Sequence, residues 1–159
     1  MSVPLPPQLP REPADTLEPR AYDAFLADFG ATVEAVQFQG HDVHVNTLAH
    51  PANVSRGHTY WHMVTEGTPE ENRVSPVRER LVKIPWARPV LHHSFDPGIK
   101  IWFSPRYANG HYCIWHCQAN YLVVIKQLAN GWLLKTAYTP DYKRVPQLHQ
   151  EFAEAKRRK

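Results

Sequence analysis

The distribution of apolar residues in the second half of the chain is typical of a sheet with short connections. Four stretches there are rich in β-branched and aromatic side chains, namely 99–104, 111–117, 121–128 and 131–138. Asn-Gly pairs and the short connection "QAN" separate them, and both residues of Asn-Gly tolerate the positive φ of a type I′ hairpin turn. The pattern predicts a twisted, four-stranded antiparallel meander.

Helices are predicted on both sides of this meander. In "PRAYDAFLADFG", apolar residues recur at i, i+3, i+4 and i+7, which indicates an amphipathic helix over 19–30. A shorter helix near 74–82 is expected to end before the prolines of "IPWARP", and "VPQLHQEFAEAKRRK" predicts a closing helix. We therefore expect an α+β fold, with the sheet packed against N-terminal helices and a helix at the C-terminus.

The segment between residues 31 and 65 has a different pattern. "ATVEAVQF", "HDVHV" and "HTYWHMVT" show the alternation of strands, with polar loop sequence between them. The third of these contains His62 between two apolar residues. This alternation predicts further strands, the last of which carries His62.

The length of 159 residues is that of one domain. Six of the first 19 residues are proline, so residues 1–18 are expected to form a flexible, extended arm outside the core. The domain then covers 19–155, and 156–159 form a basic tail. Because no signal peptide or bilayer-length apolar segment is evident, a cytoplasmic protein without membrane contact is expected.

The formal net charge of +3 is mild, but the basic residues are clustered. One cluster contains Arg78, Arg80, Lys83 and Arg88, and a second contains Lys143 and Arg144. Such clusters can bind phosphates, although they are more often solvated surface.

A metal site is not expected from the sequence. In the strand "HYCIWHC", Cys113 and Cys117 would lie about 13 Å apart at roughly 3.3 Å per residue, and His116 would face the other way. No CxxC or HxxxH pair elsewhere has a ligand spacing that indicates a metal site. Glycine-rich phosphate loops and a G-x-S-x-G element are absent, so neither a metal nor a nucleotide cofactor is predicted.

The end of the last predicted strand is polar. In a regular strand, Thr136 and Tyr138 share a face and Lys135 lies on the other, unless a bulge redirects it. Thr136 and Tyr138 could bind a phosphate, or they could be ordinary strand residues. In the same way, His62 is either a general base or a structural histidine, and Arg88 is either a phosphate ligand or a surface arginine.

Three stretches together resemble a known nuclease superfamily. They are "YWHMV", "RERLVKIPWARPVL" and "YLVVIKQLANGWLLKTAY". They are similar to the phage and polymorphic-toxin branches of the barnase–EndoU–colicin–RelE superfamily, over roughly residues 56–152. The resemblance implies a helical N-terminal part on a four-stranded antiparallel sheet. It also implies metal-independent RNA cleavage, in which the 2′-OH attacks the phosphorus and leaves a 2′,3′-cyclic phosphate.

The resemblance also implies roles for individual residues. His62 would be the acid or base, and Thr136 and Tyr138 would hold the scissile phosphate or the leaving oxygen. Lys135 and Arg88 would stabilise charge. The expected substrate-binding residues are Arg80, Lys83, Lys143 and Arg144.

The partners expected for such an enzyme are RNA, either tRNA or mRNA, and a cognate inhibitor protein. The alternative is a non-catalytic module of a phage or mobile element that binds RNA or protein through the same sheet. In that case Trp102, Tyr107 and Trp115 could stack on bases.

Overall fold

A computed structural model describes residues 3–104 and 110–157, and within them the chain is an α+β domain. The N-terminal half contains helix α1 and four short strands, followed by three short helices: α1 Ala14–Phe29, β1 Gln37–Phe38, β2 His41–His44, β3 Ala49–His50, β4 Asn53–Gly57, α2 His58–Val64, α3 Arg78–Leu81 and α4 Ala87–His92. The C-terminal half contains four longer strands and a closing helix: β5 Ile99–Ser104, β6 His111–His116, β7 Tyr121–Leu128, β8 Gly131–Tyr138 and α5 Val145–Arg157. Two 3₁₀ helices, Glu70–Asn72 and Ile84–Trp86, flank α3.

The main sheet has six strands in the order β1-β2-β8-β7-β6-β5. Strands β5 to β8 are consecutive antiparallel neighbours, as predicted. However, β2 adds to β8 in parallel through Val43–Trp132 and His44–Leu133, and β1 pairs with β2. The α+β class is therefore confirmed, but the prediction of a four-stranded antiparallel sheet is wrong, since the sheet is mixed, six-stranded and curled.

The segment "HTYWHMVT", predicted to be a strand, is helix α2. Its buried side chains Tyr60, Met63 and Val64 recur at i, i+3 and i+4, which is the helical period. Tyr60 also fixes the helix to α1, because its hydroxyl donates to a Glu18 carboxylate oxygen at 2.9 Å. Arg56, just before α2, makes a bidentate ion pair with the same carboxylate, with a distance of 2.8 Å for each nitrogen.

The proline-rich N-terminal segment is not outside the core. Val3 is only 7% exposed, and the backbone N–H of Leu9 donates to the carbonyl of Val82 at 2.9 Å. Helix α1 begins at Ala14, contains Pro19 and buries Leu17 completely. The expectation that residues 1–18 lie outside the core is therefore wrong for the described residues, because the apolar side chains between the prolines pack on the domain.

Helices cover both faces of the sheet. Alternate residues of β7 belong to different cores, with Val123 and Ile125 packed with the N-terminal helices and Leu122 and Val124 packed near α5. The second core also contains Cys113, which is fully buried. Among the residues described, no helix has both the length and the apolar character needed to cross a bilayer.

The parallel pairing of β2 with β8 depends on Gly131. Its φ is +145°, and a Cβ atom added there would lie 2.5 Å from the carbonyl oxygen of Asp42. Gly40 has a φ of +81°, but a Cβ there would have no neighbour within 4 Å. Both glycines have a backbone conformation that a side chain would strain, but only Gly131 lies too close to a neighbouring strand for a Cβ atom. A comparison of the two positions therefore distinguishes the effect of strain from the effect of the close contact.

We predict that Gly131→Ala lowers the free energy of unfolding by about 1–3 kcal/mol more than Gly40→Ala does. Both substitutions strain a left-handed backbone, but only Gly131→Ala forces β2 away from β8. Urea denaturation of both variants measures the difference. Equal losses would contradict the close contact at Gly131.

Candidate functional site

Helix α2 lies beside the part of β8 that β2 does not pair with. In the described strands, β2 pairs with β8 at Trp132 and Leu133. Beyond that point Thr59, near the start of α2, places its hydroxyl oxygen 3.5 Å from the carbonyl of Leu134. The first turn of α2 is therefore held beside the C-terminal half of β8.

Strand β8 has a bulge at this position. Leu134 opposes Ile125 and Thr136 opposes Val124, so Lys135 has no opposite residue. As a result Thr136 and Tyr138 do share a face, as predicted, but Trp132 and Leu134 lie on the opposite one. The bulge that the sequence allowed as an alternative to a regular strand is therefore present, and it breaks the alternation at Lys135.

The carboxylate of Glu70 is the centre of a polar cluster beside the bulge. Its Oε1 atom is 3.0 Å from His50 Nε2 and 2.8 Å from His62 Nδ1. Arg73 Nε is 3.1 Å from Oε2, as an ion pair whose N–H is not aligned for a hydrogen bond. His58 Nε2 lies 3.8 Å from Oε1. Three histidines and an arginine therefore surround one carboxylate.

Glu70 is ionised at neutral pH. Its partial burial opposes ionisation, but the hydrogen bonds from His62 and His50 outweigh that effect and lower the pKa of Glu70 to about 2. A carboxylate ion has acceptors only. Both histidine nitrogens that contact it must therefore carry a proton.

The hydrogen bonds fix opposite tautomers in the two histidines. His50 accepts the backbone N–H of Ala52 at Nδ1, 3.0 Å away, so its proton is on Nε2. His62 donates from Nδ1, which leaves the lone pair of its neutral form on Nε2. The His50 side chain is fully buried, whereas that of His62 is 25% exposed. His62 therefore has the orientation of a general base, and His50 has a structural role.

Two histidines of the cluster have lowered pKa values. Burial lowers the pKa of His62, the hydrogen bond with Glu70 partly reverses this, and Arg73 lowers it further. Burial is also the main cause that lowers the pKa of His58. His50 and Lys135 lower this pKa further, whereas the charge of Glu70 raises it in part. Both imidazoles are consequently neutral at pH 7.

A second group of side chains lies near the end of β8. The guanidinium carbon of Arg80 is 5.0 Å from the ring centroid of Tyr138, and Arg80 donates to the carbonyl of Thr65 at 3.2 Å. Lys83, one helical turn further, donates to Thr139 Oγ1 at 2.6 Å. Helix α3 and the turn that follows it thus bring two of the predicted substrate-binding cations to the strand end.

Other predicted site residues lie elsewhere. Arg88 donates to the carbonyl of Asp28 at the end of α1 at 2.7 Å. Arg144 is ion-paired with Glu151 at 2.8 Å, and Lys143 lies over the ring of Tyr142. The Oγ1 atom of Thr136 is buried on the face that α5 covers.

Two of the three aromatic residues considered for base stacking are unavailable. Trp102 is 3% exposed and Trp115 is 1% exposed, and both belong to the core beneath α5. Tyr107 lies outside the described residues.

Four residues of the cluster were missed from the sequence: His50, His58, Glu70 and Arg73. The available signal was His58-x-x-x-His62, because residues four apart share one face of a helix. In the strand predicted for this segment, residues four apart would instead lie about 13 Å apart, at roughly 3.3 Å per residue. In the structure the rings of His58 and His62 are stacked, with centroids 6.2 Å apart and planes at 11°.

Ligand atoms of His50, His58 and Glu70 lie within 4.8 Å of one another, which is the spacing of a metal centre. The tautomer of His50 argues against that use. Its Nδ1 already accepts the Ala52 N–H, so Nε2 could offer a lone pair only if that hydrogen bond broke or the ring became an imidazolate. The geometry is that of a hydrogen-bonded cluster around Glu70.

No protein-family model, curated protein or solved structure matches this chain.

The cluster predicts a change in the titration of His62 when Glu70 loses its charge. Glu70→Gln removes the negative charge that favours the protonated imidazole, so the pKa of His62 should fall further below its ordinary value. NMR titration of the imidazole protons measures this directly. The neighbouring exposed Glu71→Gln is the matched control and should leave the pKa of His62 unchanged. An unchanged pKa in Glu70→Gln would contradict the contact.

Proposed function

We propose that the protein is a metal-independent endoribonuclease that cleaves RNA by attack of the 2′-OH and leaves a 2′,3′-cyclic phosphate. The observation that carries the proposal is the hydrogen bond from His62 Nδ1 to ionised Glu70, which leaves the imidazole lone pair on Nε2 of a side chain that is 25% exposed. The resemblance of "YWHMV" and "GWLLKTAY" to nuclease motifs supports the same reaction class.

In the proposed mechanism, His62 Nε2 removes the proton from the ribose 2′-OH. The 2′ oxygen forms a bond to phosphorus and the bond to the 5′ oxygen breaks. Glu70 orients the imidazole and stabilises the imidazolium that forms, so it is a positioning residue. No water or metal takes part in this step.

His58 is the group best placed to protonate the departing 5′ oxygen. It lies one helical turn from His62 with its ring parallel to that of His62. Its lowered pKa makes the imidazolium a stronger acid, although it also reduces the protonated fraction at neutral pH.

The cations near the cluster would stabilise the negative charge that develops on the phosphoryl oxygens when the 2′ oxygen attacks. Lys135 lies at the bulge and lowers the pKa of His58, and Arg73 is ion-paired with Glu70. Arg80, Lys83 and Tyr138 at the end of β8 would contact neighbouring phosphates. Arg88, Lys143, Arg144 and Thr136 have no role in this mechanism, because their contacts lie elsewhere or their polar atoms are buried.

We predict that His62→Ala reduces RNA cleavage by a factor of about 10²–10⁴, because the general base is lost. The assay uses total RNA in excess EDTA and detects fragments that end in cyclic phosphate. Thermal unfolding checks that the variant is folded, and the exposed His92→Ala is the matched control. Parental cleavage by a folded His62→Ala variant would overturn the assignment. Intact RNA with the parental protein, together with a salt-dependent gel shift, would favour the non-catalytic module.

The pH dependence of cleavage follows from the two lowered pKa values. The rate rises as His62 loses its proton and falls as His58 loses its own, so the maximum lies midway between the two values. Because burial lowers both pKa values below 6.5, the maximum is expected below pH 6.5. Rates measured from pH 4.5 to 8.5 test this, and a maximum above neutrality would exclude His58 as the acid.

A further inference from the structure

A cleft of about 520 Å³ runs along the outer edge of β5. Ile101, Trp102 and Phe103 all line it, although successive side chains of a strand point to opposite faces. A single cavity can reach both faces only by passing around the strand's edge. Gln39, in the turn between β1 and β2, and Phe152 of α5 form other parts of its wall.

The backbone groups of β5 that face this cleft can be deduced from the pairing with β6. The Cys117 N–H donates to the carbonyl of Gly98, so Gly98 faces β6 and every second residue after it does the same. The N–H and C=O groups of Ile101 and Phe103 therefore point away from β6, into the cleft. In the described sheet β5 is a terminal strand, with β6 as its partner.

Unpaired groups on an edge strand favour the addition of another strand. The side chains beside them are suited to an extended peptide, because Phe103 is 43% exposed and packs edge-on against Tyr112, with ring centroids 5.5 Å apart. RNA has no regular row of donors and acceptors that matches a strand edge. The geometry therefore favours a peptide over a nucleic acid.

The charge around the cleft is positive. Lys156 lines it, Arg157 follows in the last turn of α5, and Lys100 lies on β5 with its ammonium 4.9 Å from the Phe152 ring centroid. The carboxylate of Glu151 nearby is neutralised by Arg144 at 2.8 Å. A second copy of the chain would bring two such basic edges together, whereas an acidic strand would complement this one.

We propose that the free edge of β5 binds an acidic, extended segment of a partner protein, which adds to the sheet as a strand. Its backbone pairs with Ile101 and Phe103, its apolar side chains enter the cleft, and its carboxylates contact Lys156 and Lys100. This inference does not rest on the proposed ribonuclease activity, because it concerns a different edge of the sheet.

The test is an NMR titration of the full chain with the capped heptapeptide EVEIEVE. Addition of a strand should protect the amides of Ile101 and Phe103 from hydrogen exchange, while those of Lys100 and Trp102, already directed at β6, change little. The basic peptide KVKIKVK should bind at least about tenfold more weakly. A version of EVEIEVE that is N-methylated along one edge should not protect these amides. Ile101→Pro removes one of the two outward N–H groups, so it should also abolish the protection of the Phe103 amide. Proline is tolerated at such edge positions.

Each alternative has its own result. Absence of protection, or equal binding of the acidic and N-methylated peptides, would overturn the proposal. It would also be overturned if an oligo(rA) probe gave the chemical-shift changes at β5, which would indicate an RNA subsite. Protection that grows with protein concentration alone would indicate a second copy on this edge. Binding is measured without cleavage, so the outcome is independent of the ribonuclease assay, and the N-methylated peptide keeps the test valid if Ile101→Pro does not fold.

Discussion

The carboxylate of Glu70 holds together the part of the molecule to which we assign chemistry. It accepts hydrogen bonds from two imidazoles and faces an arginine, and these groups come from β3, from α2 and from the loop after its own 3₁₀ helix. Without it, a fully buried histidine, His50, would have an unpaired N–H. With it, the position and tautomer of His62 are fixed by the same contact that ties these segments together.

The cluster has its place beside the sheet because the pairing between β2 and β8 stops partway along β8. Strand β2 ends at His44 after pairing with the first part of β8, and this leaves room for α2 beside the second part. The bulge at Lys135 then interrupts the regular alternation of side chains along β8. A β8 that was paired along its whole length on both sides would exclude α2 from this position, and the histidines of α2 would be placed elsewhere.

The parts of the fold that were predictable depend on local pattern. The four C-terminal strands follow from their β-branched and aromatic residues and from tight turns such as Asn130-Gly131. The parallel pairing of β2 with β8 joins segments almost ninety residues apart, as in Val43–Trp132, and no local signal marks it. Helix α2 is only seven residues long, so its pattern also fits a strand.

The site was predicted in part for the same reason. His62 is in the cluster, Lys135 is near enough to lower the pKa of His58, and Arg80 lies over the ring of Tyr138; the motifs that contain these residues are contiguous in sequence. Glu70 was missed because it lies in a polar loop, eight residues from His62 and twenty from His50, and only the folded chain brings the three together. The rigid, proline-flanked position of Arg88 is compatible with a phosphate ligand, yet in the fold Arg88 donates to a backbone carbonyl of α1.

The central claim is that Glu70 fixes His62 as a base with a free Nε2, and the imidazole ¹⁵N chemical shifts test it most directly. In protein labelled at histidine nitrogens and held near pH 8, His62 should show a protonated Nδ1 and an unprotonated Nε2, and His50 should show the reverse. If His62 instead carries its proton on Nε2, Glu70 does not orient it and the proposed base is not formed.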